Sequence, residues 1–113
     1  METDPSEPAR RLRVLVTGAA GRIGRAICPA LAERWDVVRS DHLPDAGDLA
    51  LDVTDLPACR AAFTDVDAVV HLVGDPDPNA MWERLRPANV VGTYTVVQAA
   101  MDTGVERLVL GGL

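Results

Sequence analysis

No lysine occurs anywhere in this chain; all eleven basic side chains are arginine. Schiff-base chemistry, a P-loop lysine on phosphate and lysine-assisted proton transfer are therefore excluded within this polypeptide. Cysteine is limited to Cys28 and Cys59, far apart and both on predicted helices. That excludes a disulfide framework, and the two read as reduced, buried thiols of a cytoplasmic protein. Basic clusters are absent and the net charge is −6, which argues against nucleic acid as a partner. No apolar run approaches membrane-spanning length, so no membrane partner is expected. Residues 1–10 are polar, carry two prolines and lack an apolar h-region, so they read as a loose leader rather than a signal peptide. Beyond them, 48% apolar composition without low-complexity blocks excludes extended disorder. A chain of 113 residues suffices for one domain whose core needs neither disulfide nor metal.

What the chain does contain is an apolar run that breaks into three glycines, Gly18, Gly21 and Gly24. The physics of holding a pyrophosphate asks for that arrangement. A short buried strand delivers the backbone into a tight turn, where Gly18 takes the required φ without a Cβ penalty. Gly21 leaves room for N–H groups to approach phosphate, and Gly24 lets the following helix lie close on the sheet. The helix then points the positive end of its dipole at the ligand. Three spaced glycines are weak evidence in a chain with nine, but strand, glycines and helix in that order are the context the motif requires.

The rest of the chain alternates strand and helix. Strands are predicted over 12–17, 37–40, 49–51, 68–73 and 107–110. A helix is predicted over 22–34, with Ile23, Ala26, Ile27, Ala30 and Leu31 on one face and Pro29 bending it. Asp55 and Pro57 start a second helix that runs to about Phe63. A long helix is expected from about Ala80 to Thr103, kinked at Pro87 and stopped by Gly104. Strands that are apolar throughout imply a parallel sheet covered on both faces. Right-handed crossovers with a phosphate loop after the first strand give an α/β, doubly wound sheet in the order 3-2-1-4-5.

Asp41 ends the second strand 23 residues after Gly18, where a dinucleotide fold places an acid to accept from ribose hydroxyls. A carboxylate there repels a 2′-phosphate, which favours NAD over NADP. Arg22 and Arg39 could in principle bind that phosphate; Arg39, two residues before Asp41 on a strand, can instead neutralise it. Asp52 and Val53 end the third strand beside the expected adenine site, the carboxylate to accept from the amino group and Val53 to pack on the ring. Taken alone, Asp52 reads as a turn aspartate. His71, on a buried strand, reads as a satisfied core histidine. Asp75 and Asp77 each precede a proline, stand apart from other ligands, and read as a solvated loop rather than a metal site.

These stretches together resemble the extended short-chain dehydrogenase/reductase superfamily, in its NAD-dependent epimerase/dehydratase group. The resemblance is carried by Thr17-Gly18-Ala19-Ala20-Gly21-Arg22-Ile23-Gly24, Asp41, Asp52-Val53, Val70-His71-Leu72-Val73-Gly74 and Asn89-Val90-Val91-Gly92-Thr93. It covers essentially all of the chain after residue 11 and is most similar to uronate-dehydrogenase-like members. It implies a Rossmann-like fold with NAD as cofactor. It also implies pyrophosphate held by the backbone after Gly18, around Arg22 and Ile23, with ribose on Asp41 and adenine on Asp52 and Val53. Leu72, Val73 and Gly74 would line the cofactor, and Asn89 matches an asparagine that supports a proton relay in many members.

The family's acid–base chemistry uses a Tyr-x-x-x-Lys pair and a nearby serine or threonine. Here the single tyrosine, Tyr94, is followed four residues later by Gln98, and Leu110 leads into Gly111-Gly112-Leu113 without the serine. Residues 11–113 are thus expected to form the NAD(H)-binding half of a sugar or uronate dehydrogenase or an epimerase, without its substrate domain and inactive alone. A complementing C-terminal half would be its partner. An exposed face at Val90, Val97 and Met101 and an open fifth strand predict a homodimer or larger assembly. The competing readings are a non-catalytic NAD-sensing or partner-binding module, and a degenerate domain that binds nothing.

Overall fold

The computed structural model describes residues 11–43, 45–72 and 86–111. Short apolar runs build its strands: β1 (Arg13–Thr17), β2 (Asp36–Asp41), the two-residue β3 (Leu49–Ala50), β4 (Ala68–His71) and β5 (Arg107–Leu110), with valine pairs in β1, β2 and β4. All pair in parallel, in the order β3-β2-β1-β4-β5 that the sequence predicts. The architecture is a Rossmann-like α/β sheet. β1 lies at its centre, with Val14 beside both Val37 and Ala68, and Leu15 and Val16 fully buried. Asp67 fastens the lower edge: its carboxylate accepts the Arg13 N–H at 2.7 Å and its carbonyl accepts from Glu106 and Arg107.

Helices cover the two faces unequally. On one face α1 (Arg22–Ala32) packs through Cys28 and Leu31 on Val14, Val16 and Val70. On the other, α2 (Leu56–Phe63) and α3 (Gly92–Thr103) bury Phe63, Cys59, Val96 and Ala99 against Leu15 and Val69. Full burial of a side chain such as Phe63 is worth about 1.5–3 kcal/mol. The two helices on that face are joined by Arg60 and Asp102, whose Nη2 and Oδ2 are 2.6 Å apart. Asp55 caps α2 by accepting the Ala58 N–H, and Gly104 ends α3 at φ 76°, as expected from the sequence.

Several local expectations need correction. α1 stops at Ala32 because tightened turns, with Arg34 N–H bonded to Leu31, end the ladder there. Its buried positions are Gly24 and Cys28, with Ile27 and Leu31 half-buried, while Ala26 and Ala30 face outward and Ile23 is 58% exposed. The cause is Gly24: the helix pivots about its glycine contact with the turn, which rotates the apolar stripe by one position. α1 continues through Pro29, at the cost of one backbone bond. β2 begins one residue earlier than predicted and includes Asp41, whereas Leu51 leaves β3 to enter the core. β4 ends at His71, and Val73 lies outside the described residues. At Pro87 the chain forms a π-helical turn, Arg86–Val91, that leads into α3. A wider turn suits a residue with no N–H to donate. Residues 80–85 of the predicted long helix are also outside the described part.

Candidate dinucleotide site

The site grows from the end of β1. Gly18 turns the chain at φ 66°, a left-handed conformation natural to glycine, and its carbonyl accepts the Gly21 N–H at 3.0 Å. α1 then starts with Gly21 as its cap residue, with no side-chain capping bond and no acid in its first turn. The first amides of a helix have no partner within the helix, and its dipole adds positive potential there. Arg22 and Arg25 extend that potential and have no ion-pair partner among the described residues. The helix sits tight on the turn. A Cβ at Gly24 would stand 2.5 Å from the Gly18 carbonyl and 2.6 Å from Ala19 Cα, so only glycine fits.

β2 closes one side of the turn. The Ser40 carbonyl accepts the Ala19 N–H at 3.0 Å, and its buried hydroxyl donates to the Val16 carbonyl. Asp41 is 6% exposed and reaches across the turn: Oδ2 accepts the Ala20 N–H at 3.1 Å, and Oδ1 accepts the Leu43 N–H at 3.3 Å. His42 Nδ1 lies 3.1 Å from Oδ1, on a ring that is largely in solvent. Arg39 does not neutralise Asp41, contrary to the sequence expectation; it forks onto Asp48, with Nη2 2.9 Å from Oδ1 and Nε 3.3 Å from Oδ2. The bond holds the Asp48 carboxyl below its usual range. The alternation that would align residues 39 and 41 gives way at the strand end, where Ser40 and Asp41 are both buried.

Asp52 follows β3, and its Oδ1 accepts from the Thr54 hydroxyl at 2.6 Å and the Thr54 N–H at 2.9 Å. Those two bonds lower its pKa. Val53 turns inward to pack among Leu51, Cys59 and Phe63, so of this pair Asp52 alone is exposed. The adjoining end of β2 is tied to this segment by the Leu51 N–H on the Asp41 carbonyl.

The other side of the turn contains a feature that pattern reading missed. Thr17 is fully buried, its Oγ1 2.8 Å from His71 Nδ1, and it accepts the Leu72 N–H at 3.0 Å. His71 Nε2 lies 3.4 Å from Thr93 Oγ1 on α3. Burial lowers the His71 pKa, so the ring is neutral. Thr17 Oγ1 thus serves two partners at once, the Leu72 N–H and the His71 ring, while Thr93 stands at the ring's other nitrogen. The missed signal was the polar residue ending each of two neighbouring apolar strands, since a buried hydroxyl needs a partner. The sheet thus brings Gly18, Gly21, Arg22, Ile23, Gly24 and Asp41 together around the turn. Leu72 joins them through Thr17, and Asn89, half-buried, lies in the π-helical turn before Thr93. Gly74, like Val73, Asp75 and Asp77, lies outside the described residues. Among the described residues no acid, histidine or cysteine cluster could hold a metal, and no helix is long and apolar enough to cross a membrane. Cys28 and Cys59 are free and buried.

Residues 14–112 match the model of the NAD dependent epimerase/dehydratase family. The chain is 42% identical over 99 residues to L-arabinose 1-dehydrogenase (NAD(P)(+)) of Haloferax volcanii, covering 86% of this chain and 39% of that protein. It is 32% identical over 104 residues to uronate dehydrogenase of Agrobacterium fabrum, with coverage of 86% and 39%. Among solved structures it is similar to uronate dehydrogenase of Agrobacterium tumefaciens, a variant of which was solved in complex with NAD. The TM-score is 0.78 at 30% identity, over 89% of this chain and 40% of that one. The chain spans about two fifths of the length of these relatives.

Proposed function

The chain belongs to the NAD dependent epimerase/dehydratase family, and from that premise we propose that its β1–α1 turn binds NAD(H). The observation that carries this reading is the uncapped N-terminus of α1, glycine-tight on the turn and flanked by Arg22 and Arg25 without a compensating acid. An anion of two phosphates supplies what that helix end lacks. In this reading Gly18, Gly21, Arg22, Ile23 and Gly24 form the pyrophosphate cradle. Asp41 accepts from the ribose. A carboxylate offers about four lone-pair sites; three polar groups approach Asp41, which leaves one for ribose, and exposed His42 can swing aside to free a second. Asp52 faces the adenine amino group, whereas Val53, buried in the core, does not pack on the ring as the sequence suggests. Leu72 and Asn89 line the remaining side.

The fit extends to what the chain lacks. Hydride transfer in this family draws on a tyrosine with a lysine beside it, and here the sequence has no lysine, while Tyr94 is 69% exposed on α3. We therefore assign residues 11–113 to cofactor binding in a cytoplasmic oxidoreductase or epimerase acting on a sugar or sugar acid. Titration with NADH by calorimetry tests this: micromolar binding is expected, and absence of heat at high micromolar protein overturns it. Co-expression with a C-terminal half carrying Tyr-x-x-x-Lys should then restore dehydrogenase activity. A partner-binding role has one observation in its favour. Tyr94 and Met101 on α3, and Val109 and Leu110 on the β5 edge, are exposed, which fits association with a second copy or with that half. Light scattering at high micromolar concentration distinguishes a monomer from an assembly.

A further inference from the structure

Arg39 and Asp48 pair beside β2, outside the glycine turn. The 45–48 segment is laced onto β2 at this residue. Arg39 N–H donates to Asp48 Oδ2 at 3.0 Å, and Asp48 N–H donates to the Arg39 carbonyl at 2.7 Å. Gly47 passes so close that a Cβ there would lie 2.8 Å from the Arg39 carbonyl. Backbone and side chain together hold the Asp48 carboxylate against the guanidinium in a two-bond fork.

Arg39 lines a hollow of about 270 Å³ between α1 and β2, together with Val37, Cys28, Arg25 and Ala19. Ala19 belongs to the glycine turn, and the next amide, Ala20 N–H, is the one Asp41 holds. The hollow therefore opens beside the ribose of a dinucleotide seated on Asp41. A 2′-phosphate on that ribose would bring nearly two negative charges to its mouth. Arg25 is available to meet them, having no ion-pair partner among the described residues. Arg39 is not, because Asp48 already occupies its fork.

Resting on the reading of the turn as an NAD site, we propose that Asp48 is a specificity-determining residue. By sequestering Arg39 it denies a 2′-phosphate its second cation and reinforces the selection of NAD(H) over NADP(H) by Asp41. The mechanism is competition for one guanidinium, so it acts on NADPH and leaves NADH almost untouched. Cofactor breadth varies among relatives, one being described as using NAD(P)(+), which makes a selector outside the cradle informative.

The test is a cycle of four proteins: wild type, Asp48→Asn, Arg39→Gln and the double variant, each titrated with NADH and NADPH. Asp48→Asn keeps a group able to accept the Arg39 N–H but removes the charge. It should bind NADPH about five- to tenfold tighter than wild type, with NADH affinity unchanged. The gain should shrink with added salt, because the pair is exposed. Arg39→Gln should alter neither affinity, and the double variant should return to the wild-type NADPH value. If Asp48→Asn binds NADH normally but gains nothing for NADPH, Asp48 is not the selector. A gain that persists in the double variant also overturns the proposal, since Arg39 would not be the group released. Failure of the wild type to bind NADH is a different outcome, and overturns the site itself. Circular dichroism distinguishes a misfolded variant, in which case Asp48→Ser repeats the comparison.

Discussion

Thr17 Oγ1 accepts the Leu72 N–H at 3.0 Å and lies 2.8 Å from His71 Nδ1, which joins the C-terminal ends of β1 and β4 by one hydroxyl. The parallel register sets Thr17 directly beside His71, so a short side chain reaches both partners without distorting either strand. Replacing it by valine keeps the volume but leaves a buried amide and a ring nitrogen without partners. Thr17→Val should cost about 1–3 kcal/mol in urea unfolding. Thr17→Ser, which keeps the hydroxyl, should recover most of that.

The same network makes stability depend on pH. Burial lowers the His71 pKa below its ordinary 6.5, so the folded chain holds the imidazole neutral while the unfolded chain protonates it first. The unfolded state then binds more protons, and stability falls as pH drops below about 6.5. Above that the contribution is fully present. Asp48, Asp52 and Asp102 also have lowered pKa values, but their losses begin only near the carboxylate range. The urea midpoint should therefore decline between pH 7.5 and 5.5 in the wild type and stay flatter in His71→Gln. A wild-type midpoint that does not change across that interval contradicts a buried neutral histidine.

Gly24 is the point where sequence and packing meet most directly. Spacing alone suggested a close helix–sheet contact, and the structure has the Gly18 carbonyl 2.5 Å from where a Cβ would be. Gly24→Ala must push α1 away from the turn, at a cost of about 1–3 kcal/mol. It also displaces the amides that would face phosphate. NADH affinity should fall more steeply than the melting temperature predicts. An alanine variant with wild-type affinity would mean that helix position does not matter to the ligand.

What was legible in the chain depended on whether neighbours in sequence or in space made the signal. β1, β5 and α2 can be read because each is a local pattern: a short apolar run, or Asp55 and Pro57 before an apolar stretch. The sheet order followed from strand–helix alternation, and the Gly18–Gly24 turn from spacing. The partners of Arg39 could not be read, since Asp41 and Asp48 are both near in sequence and only loop geometry chooses between them. The face of α1 was misjudged for a similar reason. Helical periodicity identifies a stripe, but Gly24 sets which edge of it touches the sheet, and that leaves Ile23 exposed. Thr17 belonged to a recognised stretch, yet its role exists only across the β1–β4 register.

Cys59 offers a test of the opposite face. It lies on α2, fully buried against the sheet and α3, and desolvation, with smaller contributions from Asp55 and Asp52, pushes its thiol up to about 11. Burial likewise raises Cys28, although nearby Arg39 opposes the shift. Thiols held protonated in apolar surroundings are poor nucleophiles. Both should react with a disulfide reagent at pH 8 far more slowly in the native chain than in urea. Fast native labelling of Cys59 would show that α2 opens readily from the sheet.

Asp41 carries two duties that a single substitution cannot separate. Its Oδ2 steadies the Ala20 amide in the turn, and in the proposed complex the same carboxylate accepts from ribose. Asp41→Ala removes both, and should weaken NADH binding by on the order of 1–3 kcal/mol while also lowering stability. Asp41→Asn retains an oxygen for Ala20 but loses the charge. If the carboxylate binds ribose, the asparagine variant should approach wild-type stability yet still bind NADH several-fold more weakly. If Asp41 only braces the turn, asparagine should restore affinity and stability together. Calorimetry and urea unfolding on the two variants distinguish these outcomes, and parallel recovery of both properties would remove Asp41 from the ribose site.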